Sequence, residues 1–262
     1  MKYKLRPSGS ARWLACPASL VLEDMVPVVK RNDMIAAYLG TATHELLEKC
    51  IKAQKLPESF RGEHITVFDE ETMDFPYVVQ VDQRMIESVQ FFLDEVGEPD
   101  ATVANGETYS ELEMEHSEIE GLRGTADYFR YMPETKHGIL ADLKNGTSIV
   151  QVKNRKGEIN TQLLCYASLL FDRFPDLETL TIAIIQPNGS TKLKTRSTGI
   201  NRETVKKHLD RVKESAKLAD EATESSLEVI SKEGSHCFWC RAKSICPKRT
   251  KAQVEKDFGG DL

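Results

Sequence analysis

The 262-residue chain is short of several things, and each absence narrows the field. No stretch of about eighteen apolar residues occurs, so no membrane-spanning helix is expected. The first twenty residues, MKYKLRPSGSARWLACPASL, lack an apolar core behind their basic start, so a secretory signal is not expected and a cytoplasmic setting is. There is no excess of basic charge: 35 Lys and Arg face 41 Asp and Glu, for a net charge of -6. Nucleic-acid affinity, if present, must therefore come from local patches. Repeats, low-complexity tracts and Pro/Gly/Ser-rich linkers are missing too, which points to one domain over 1–262. At 40% hydrophobic and 29% charged, the composition is that of an ordinary globular chain with enough apolar material for a core.

Charge is unevenly spread. Six glutamates (Glu107, Glu111, Glu113, Glu115, Glu118, Glu120) fall within 107–120 without a Lys or Arg. Five basic residues (Arg241, Lys243, Lys248, Arg249, Lys251) fall within 236–251 without an acid. Pro7, Pro17 and Pro27 break the first thirty residues, where 11–24 can hold a short helix. Apolar spacing at threes, fours and sevens predicts helices over 34–53 and 77–96. Alternation predicts strands over 108–115, 124–131 and 138–144. A helix over 160–174, a strand over 177–186 and a long charged helix over 201–222 follow. Adjacent strands followed by a crossover helix predict an α/β (α+β) sheet core flanked by helices.

The strand over 138–144 ends in Asp142 and Lys144, one residue apart and before an Asn-Gly turn. Period-two geometry puts both side chains on one face. A carboxylate there can hold a hard divalent cation, and an ammonium can orient a water or stabilise charge on a phosphoryl group. The motif alone equally describes a solvated strand with alternating charges. The preceding strand carries Asp127, and a turn at 133–138 makes the two strands plausible antiparallel neighbours, so that Asp127 and Asp142 could share an ion. Glu113, one strand earlier, is a further candidate, with Glu111 and Glu115 on the same face by period two. Gln162 and Tyr166 lie four apart on the next helix and so share a face. His44 sits in the first long helix among apolar neighbours, where a partly buried structural histidine is the ordinary reading.

In order and approximate spacing, His44, G-x-x-D ending at Asp127, D-x-K at Asp142 and Lys144, and Q-x-x-x-Y from Gln162 to Tyr166 resemble the PD-(D/E)XK nuclease superfamily. The resemblance is to its RecB-like branch, which includes CRISPR-associated RecB-like exonucleases. The segments RWLACPASL, GTATHELLE, GTADYF, DLKNG and NTQLLCYA resemble more closely an uncharacterised phage and prophage family of that branch. The resemblance implies a restriction-endonuclease-like central mixed sheet and a metal-dependent DNA exonuclease of phage or prophage origin, acting in the bacterial host on single-stranded or duplex ends. It implies Mg²⁺ or Mn²⁺ bound by Asp127, Asp142, the backbone carbonyl of Leu143 and His44. Lys144 would position the attacking water, supported by Gln162 and Tyr166. Partners implied are DNA and a recombinase, single-strand-binding protein or helicase. A non-catalytic DNA-binding subunit of such a complex is the alternative. Phosphate contacts are expected from Lys206, Lys207 and Arg211 on the long charged helix and from Arg241 and Lys243 near the C-terminus.

The last motif is Cys237-x2-Cys240-x5-Cys246-Pro247. A C-x2-C pair grips one metal or cluster edge, and the third cysteine needs a fourth partner from Cys16, Cys50, Cys165 or His236. Cys50 and Cys165 lie in apolar helical settings suited to packing, whereas Cys16 lies in an irregular stretch. In the iron–sulfur members of the resembled branch, one upstream cysteine and such a triplet bind a 4Fe-4S cluster. That maps to Cys16, Cys237, Cys240 and Cys246, with 1–30 and 233–250 forming the cluster region. Zinc is the competing occupant.

Overall fold

The computed structural model describes residues 3–27, 34–68, 76–97 and 106–249. Lys251 and position 250 of the basic C-terminal stretch lie outside the described residues. In chain order the elements are α1 (Ser10–Ala15), α2 (Ala18–Asp24), α3 (Met34–Ala53), β1 (His64–Val67), β2 (Tyr77–Gln80), α4 (Gln83–Val96), β3 (Glu107–Glu115), β4 (Arg123–Met132), β5 (His137–Leu143), α5 (Thr161–Arg173), β6 (Thr179–Ile185), β7 (Thr195–Asn201), α6 (Arg202–Asp220) and α7 (Leu227–Ile230). No helix among the described residues is long and apolar enough to cross a membrane.

Five strands form the central sheet in the order β3-β4-β5-β6-β7. Only β5 and β6 are parallel; the other pairs are antiparallel. The parallel pair requires a crossover, and α5 provides it. The sheet is therefore mixed and flanked by helices, as expected for the restriction-endonuclease-like class. One face packs on α1, α2, α5 and α6 through residues such as Phe129, Leu140, Leu169 and Val212. The other packs on α3, α4 and the β1–β2 hairpin through Tyr128, Ala141, Leu143, Leu46 and Phe92. Strand β5 shows the alternation plainly: Leu140 faces the first core, Ala141 and Leu143 the second.

Several expected elements differ. The helix predicted over 77–96 begins only at Gln83, because Tyr77-Val-Val-Gln80 pairs with β1 and Asp82 then caps the helix by accepting from Met85 N at 2.9 Å. Adjacent valines and an N-capping aspartate override the helical period there. Strands β1 and β7 were not apparent, being short or flanked by polar residues. The N-terminal helix breaks in two at Cys16-Pro17.

Packing between α5 and α6 hides a polar pair. Cys165 Sγ lies 3.3 Å from His208 Nε2, and both residues are buried. Burial, reinforced by Arg211, lowers the affinity of His208 for a proton to a pKa of about 4. A folded-state value below the ordinary 6.5 means that the unfolded chain binds the extra proton, so stability is present above pH 6.5 and lost as pH falls toward 4. The loss should reach about 3 kcal/mol near pH 4, each tenfold in proton affinity being about 1.4 kcal/mol. His208→Gln should therefore show a flatter fall in thermal midpoint than the unaltered protein between pH 7.5 and pH 5. Parallel falls in the two proteins would remove His208 as the source.

Candidate active site and metal centre

Strands β4 and β5 are registered with Tyr128 opposite Ala141, so the next position places Asp127 beside Asp142 at the end of the paired region. Both carboxylates are buried. Leu143 N donates to Asp127 Oδ2 at 2.7 Å, which fixes that carboxylate against β5. Lys144 Nζ lies 2.8 Å from Asp142 Oδ2 and donates to Oδ1 at 3.0 Å. From α5, Gln162 Nε2 donates to Asp142 Oδ1 at 3.3 Å, and Tyr166 sits beside Gln162 with its hydroxyl pK raised by burial and by Asp127. The helix is started by Asn160, whose side chain accepts from Gln162 N at 2.9 Å and so sets the first turn that aims Gln162 inward. The resembled residues of β4, β5 and α5 thus meet in one place.

His44 arrives from α3. Its Nδ1 is 3.3 Å from Asp127 Oδ1 and 3.7 Å from Glu111 Oε1. One ligand atom each from His44, Glu111 and Asp127 lie within 4.8 Å of one another, the only such group among the described residues. Glu111, not Glu113, is the β3 member. Glu111 has φ of +47°, a left-handed conformation unusual for a non-glycine residue. It sits opposite Asp127, and the alternation of β3 changes phase around it: Tyr109 on one side, Leu112 and Met114 on the other, all pack on the same core. Beside this change of phase, Glu111 is half-buried against His44, whereas Glu113 is exposed. Strain of this kind is commonly kept where a side chain must be aimed.

The donor set fits a hard divalent cation. Glu111 Oε1 is buried and accepts no hydrogen bond, an orphaned oxygen beside His44 Nδ1. Two carboxylates and one imidazole suit Mn²⁺ or Mg²⁺ better than a soft thiophilic metal. The electrostatics point the same way. Burial would lower the His44 pK, yet Asp127 and Glu111 push it up to about 10. Burial, then Asp127, pushes Asp142 up to about 6 against the pull of Lys144. Burial raises Asp127, but His44 and Lys144 overcome that and lower it. Three carboxylates thus face two cationic groups, and a divalent ion would take the place of the His44 proton.

Around this centre lies a polar frame that the sequence did not signal. Asn145 Nδ2 donates to Thr43 Oγ1 at 3.0 Å, and Asn188 Nδ2 donates to Asn145 Oδ1 at 2.7 Å and to Ser88 Oγ at 3.0 Å. These bonds tie the residue after Lys144 to the residue before His44 and to α4. Gln186, fully buried, accepts from Val150 N at 3.1 Å and donates to the carbonyls of Gly146 and Ser148, holding the loop that follows β5. The Asn145-Gly146 pair was legible as a turn, but not as a junction.

Beside Tyr166 opens a cleft of about 600 Å³ lined by Lys4, Arg6, Glu113, Glu115 and Arg123 among others. Tyr3, Leu5 and Pro7 alternate inward, so Lys4, Arg6 and Ser8 face outward. Gly124 is required here, because a Cβ would stand 2.8 Å from Pro7 Cγ and 3.1 Å from Tyr166 Cε1. Lys206, Lys207 and Arg211 are exposed on α6, away from its buried stripe of Val205, His208 and Val212.

The chain ends also meet. Lys232 N donates to Cys16 Sγ at 3.4 Å, and Cys237 Sγ approaches Lys232 O at 3.9 Å. Burial raises the Cys16 thiol, and Cys246 and Cys237 add to the rise. Burial pushes Cys240 up to about 11, with Cys16 among the charges that contribute. Glu23 on α2 accepts from Arg241 N at 2.8 Å and pairs with Arg12 at 2.8 Å, fastening the segment to the N-terminal helices. No three of these sulfurs come within 4.8 Å of one another. Cys50 and Cys165 are buried packing residues on α3 and α5.

Among solved structures, the chain resembles a candidate exonuclease from Eubacterium rectale at 10% identity, over 99% of this chain and 94% of that one, with a TM-score of 0.47. It also resembles the protein SSO0001 at 14% identity, over 89% and 95% of the two chains, with a TM-score of 0.35. The family described as "Protein of unknown function (DUF2800)" matches residues 3–259, and the chain belongs to that family.

Proposed function

We propose that the chain is a divalent-metal-dependent deoxyribonuclease of the PD-(D/E)XK type and the RecB-like branch, an exonuclease of phage or prophage DNA recombination, repair or processing. One observation carries the reading: His44, Glu111, Asp127, Asp142, Lys144 and Gln162, drawn from two helices, three strands and the residue after β5, converge where the β4–β5 pairing ends. A structural role for so many buried charges is costly, since each must be compensated away from water.

His44, Glu111 and Asp127 would hold the ion, with Asp142 and the carbonyl of Leu143 as further oxygen donors. When bound, the ion supplies Lewis acidity toward a phosphodiester oxygen and makes a water molecule more acidic. Lys144 presents an ammonium beside Asp142, positioned to orient the attacking water and to offset negative charge as the water oxygen bonds to phosphorus and the phosphorus–oxygen ester bond breaks. Gln162 restrains Asp142, and Tyr166 closes the side of the site next to the cleft. DNA is the substrate in this reading. Lys4, Arg6 and Arg123 join Lys206, Lys207, Arg211, Arg241 and Lys243 as phosphate contacts, with a recombinase, single-strand-binding protein or helicase as the class of protein partner.

The same reading extends to a 4Fe-4S cluster on Cys16, Cys237, Cys240 and Cys246. It is supported by the Cys237-x2-Cys240-x5-Cys246 spacing and by the electrostatic influence of Cys237 and Cys246 on Cys16. The cluster would join the chain ends and act as a structural clasp.

Asp142→Asn and Lys144→Ala, compared as folded proteins, should each lower Mn²⁺-dependent cleavage of end-labelled DNA by about 10²–10³-fold or more. Near-normal rates in either variant would refute the catalytic assignment.

Calorimetric titration with Mn²⁺ should separate the glutamates: Glu111→Ala and His44→Ala should weaken binding by about tenfold or more, Glu113→Ala and Lys144→Ala by little. Equal losses for Glu111→Ala and Glu113→Ala would show that the ion sits elsewhere.

Protein prepared without oxygen should contain about four irons per chain. Serine at position 16, 237, 240 or 246 should abolish that content, and Cys50→Ser or Cys165→Ser should preserve it. Stoichiometric zinc without iron would replace the cluster with a zinc site and leave the cleavage centre untouched.

A further inference from the structure

Two large aromatic side chains stand out of the surface between the cysteines. Phe238 is 67% exposed and Trp239 is 66% exposed, whereas Trp13 is 1% exposed. They end a short 3-10 turn, Ser235–Trp239, and contact each other edge to face, with centroids 4.8 Å apart and planes at 85°. Lys243 Nζ sits 5.1 Å from the centre of the Phe238 ring. Adjacent aromatics left this open forgo about 1.5–3 kcal/mol each in burial, so neither serves the core. Their surroundings are cationic. From 236 to 249 the chain carries Arg241, Lys243, Lys248 and Arg249 and no acid. Glu23 pairs with Arg241 and Glu228 with Lys248, which leaves Lys243 directed at the rings.

We propose that Phe238 and Trp239 are a base-stacking platform for single-stranded nucleic acid, with Lys243 contacting the phosphate beside the stacked base. The inference rests on the nucleic-acid reading above but not on cleavage. Exposed rings beside a cation match a polyanion whose bases carry free π faces. Bases within a duplex are already stacked on both sides, so the platform takes unpaired strands or frayed ends. Because the ring planes are nearly perpendicular, two bases stacked on them lie in different planes, and the strand turns at that step.

The test uses protein purified without oxygen, in EDTA, with fluorescein-labelled oligo(dT), an abasic strand of equal length and a blunt duplex. Oligo(dT) should bind about tenfold more tightly than the abasic strand, as expected of one stacked base. Phe238→Ala and Trp239→Ala should each reduce oligo(dT) binding toward the abasic level and leave abasic binding unchanged. Lys243→Ala should weaken both strands. Oligo(dT) should also quench the tryptophan emission of the unaltered protein and not that of Trp239→Phe, since the other tryptophan, Trp13, is buried. Equal affinity for oligo(dT) and the abasic strand, or ring variants that bind normally, would overturn the platform and leave a protein partner as the alternative for these rings. The two readings fail separately. Stacking without any Mn²⁺-dependent cleavage would sink only the nuclease, and cleavage without stacking would sink only the platform.

Discussion

Three carboxylates, Glu111, Asp127 and Asp142, are held together where the β4–β5 pairing ends, and the rest of the site follows from the need to compensate them. In a medium of low dielectric, like charges this close cannot all stay ionised without opposite charge nearby. Lys144 supplies one cation from the residue just past β5, and His44 supplies a second from α3. His44 and Lys144 lower Asp127, whereas burial and the neighbouring Asp127 raise Asp142. A divalent ion would relieve the same imbalance with less proton uptake.

Holding that centre requires elements from both faces of the sheet. Asp142, Gln162 and Tyr166 meet on the side of α5, while His44 descends from α3 on the other side. The frame of Thr43, Asn145, Asn188 and Ser88 joins α3 and α4 to the loops after β5 and β6, so α3 and the Lys144 turn are tied by directional bonds as well as apolar packing. Part-buried polar groups in such a frame are stabilising only while each is satisfied, which makes the junction specific as well as rigid. Glu111 contributes through backbone strain instead. Its positive φ gives up regular pairing in exchange for a carboxylate aimed at His44.

The chain ends form a second organised region. Lys232, Glu23 and Arg12 bring the cysteine segment onto α1 and α2, and those helices rest on α5 and α6. The N-terminal segment that runs into α1 also lines the cleft beside Tyr166. The cleft lining and the helices that receive the cysteine segment are therefore parts of one continuous N-terminal stretch.

Local pattern determined much of this protein. Alternation revealed β3, β4, β5 and β6, helical spacing revealed α3, α5 and α6, and the turn between β4 and β5 implied that Asp127 and Asp142 would be neighbours. Those are short-range consequences of side-chain period and turn chemistry. Tertiary structure alone decided the rest. Which glutamate lies beside His44 and Asp127 depended on a left-handed residue in mid-strand, and no periodicity encodes that. The start of α4 depended on β2 finding β1, a pairing made across the chain. The Asn145–Asn188 junction joins residues 43 positions apart, and Asn145 reaches Thr43 across 102. Hydrogen bonds between residues so far apart in sequence leave no spacing to read, because folding alone brings their donors and acceptors within reach.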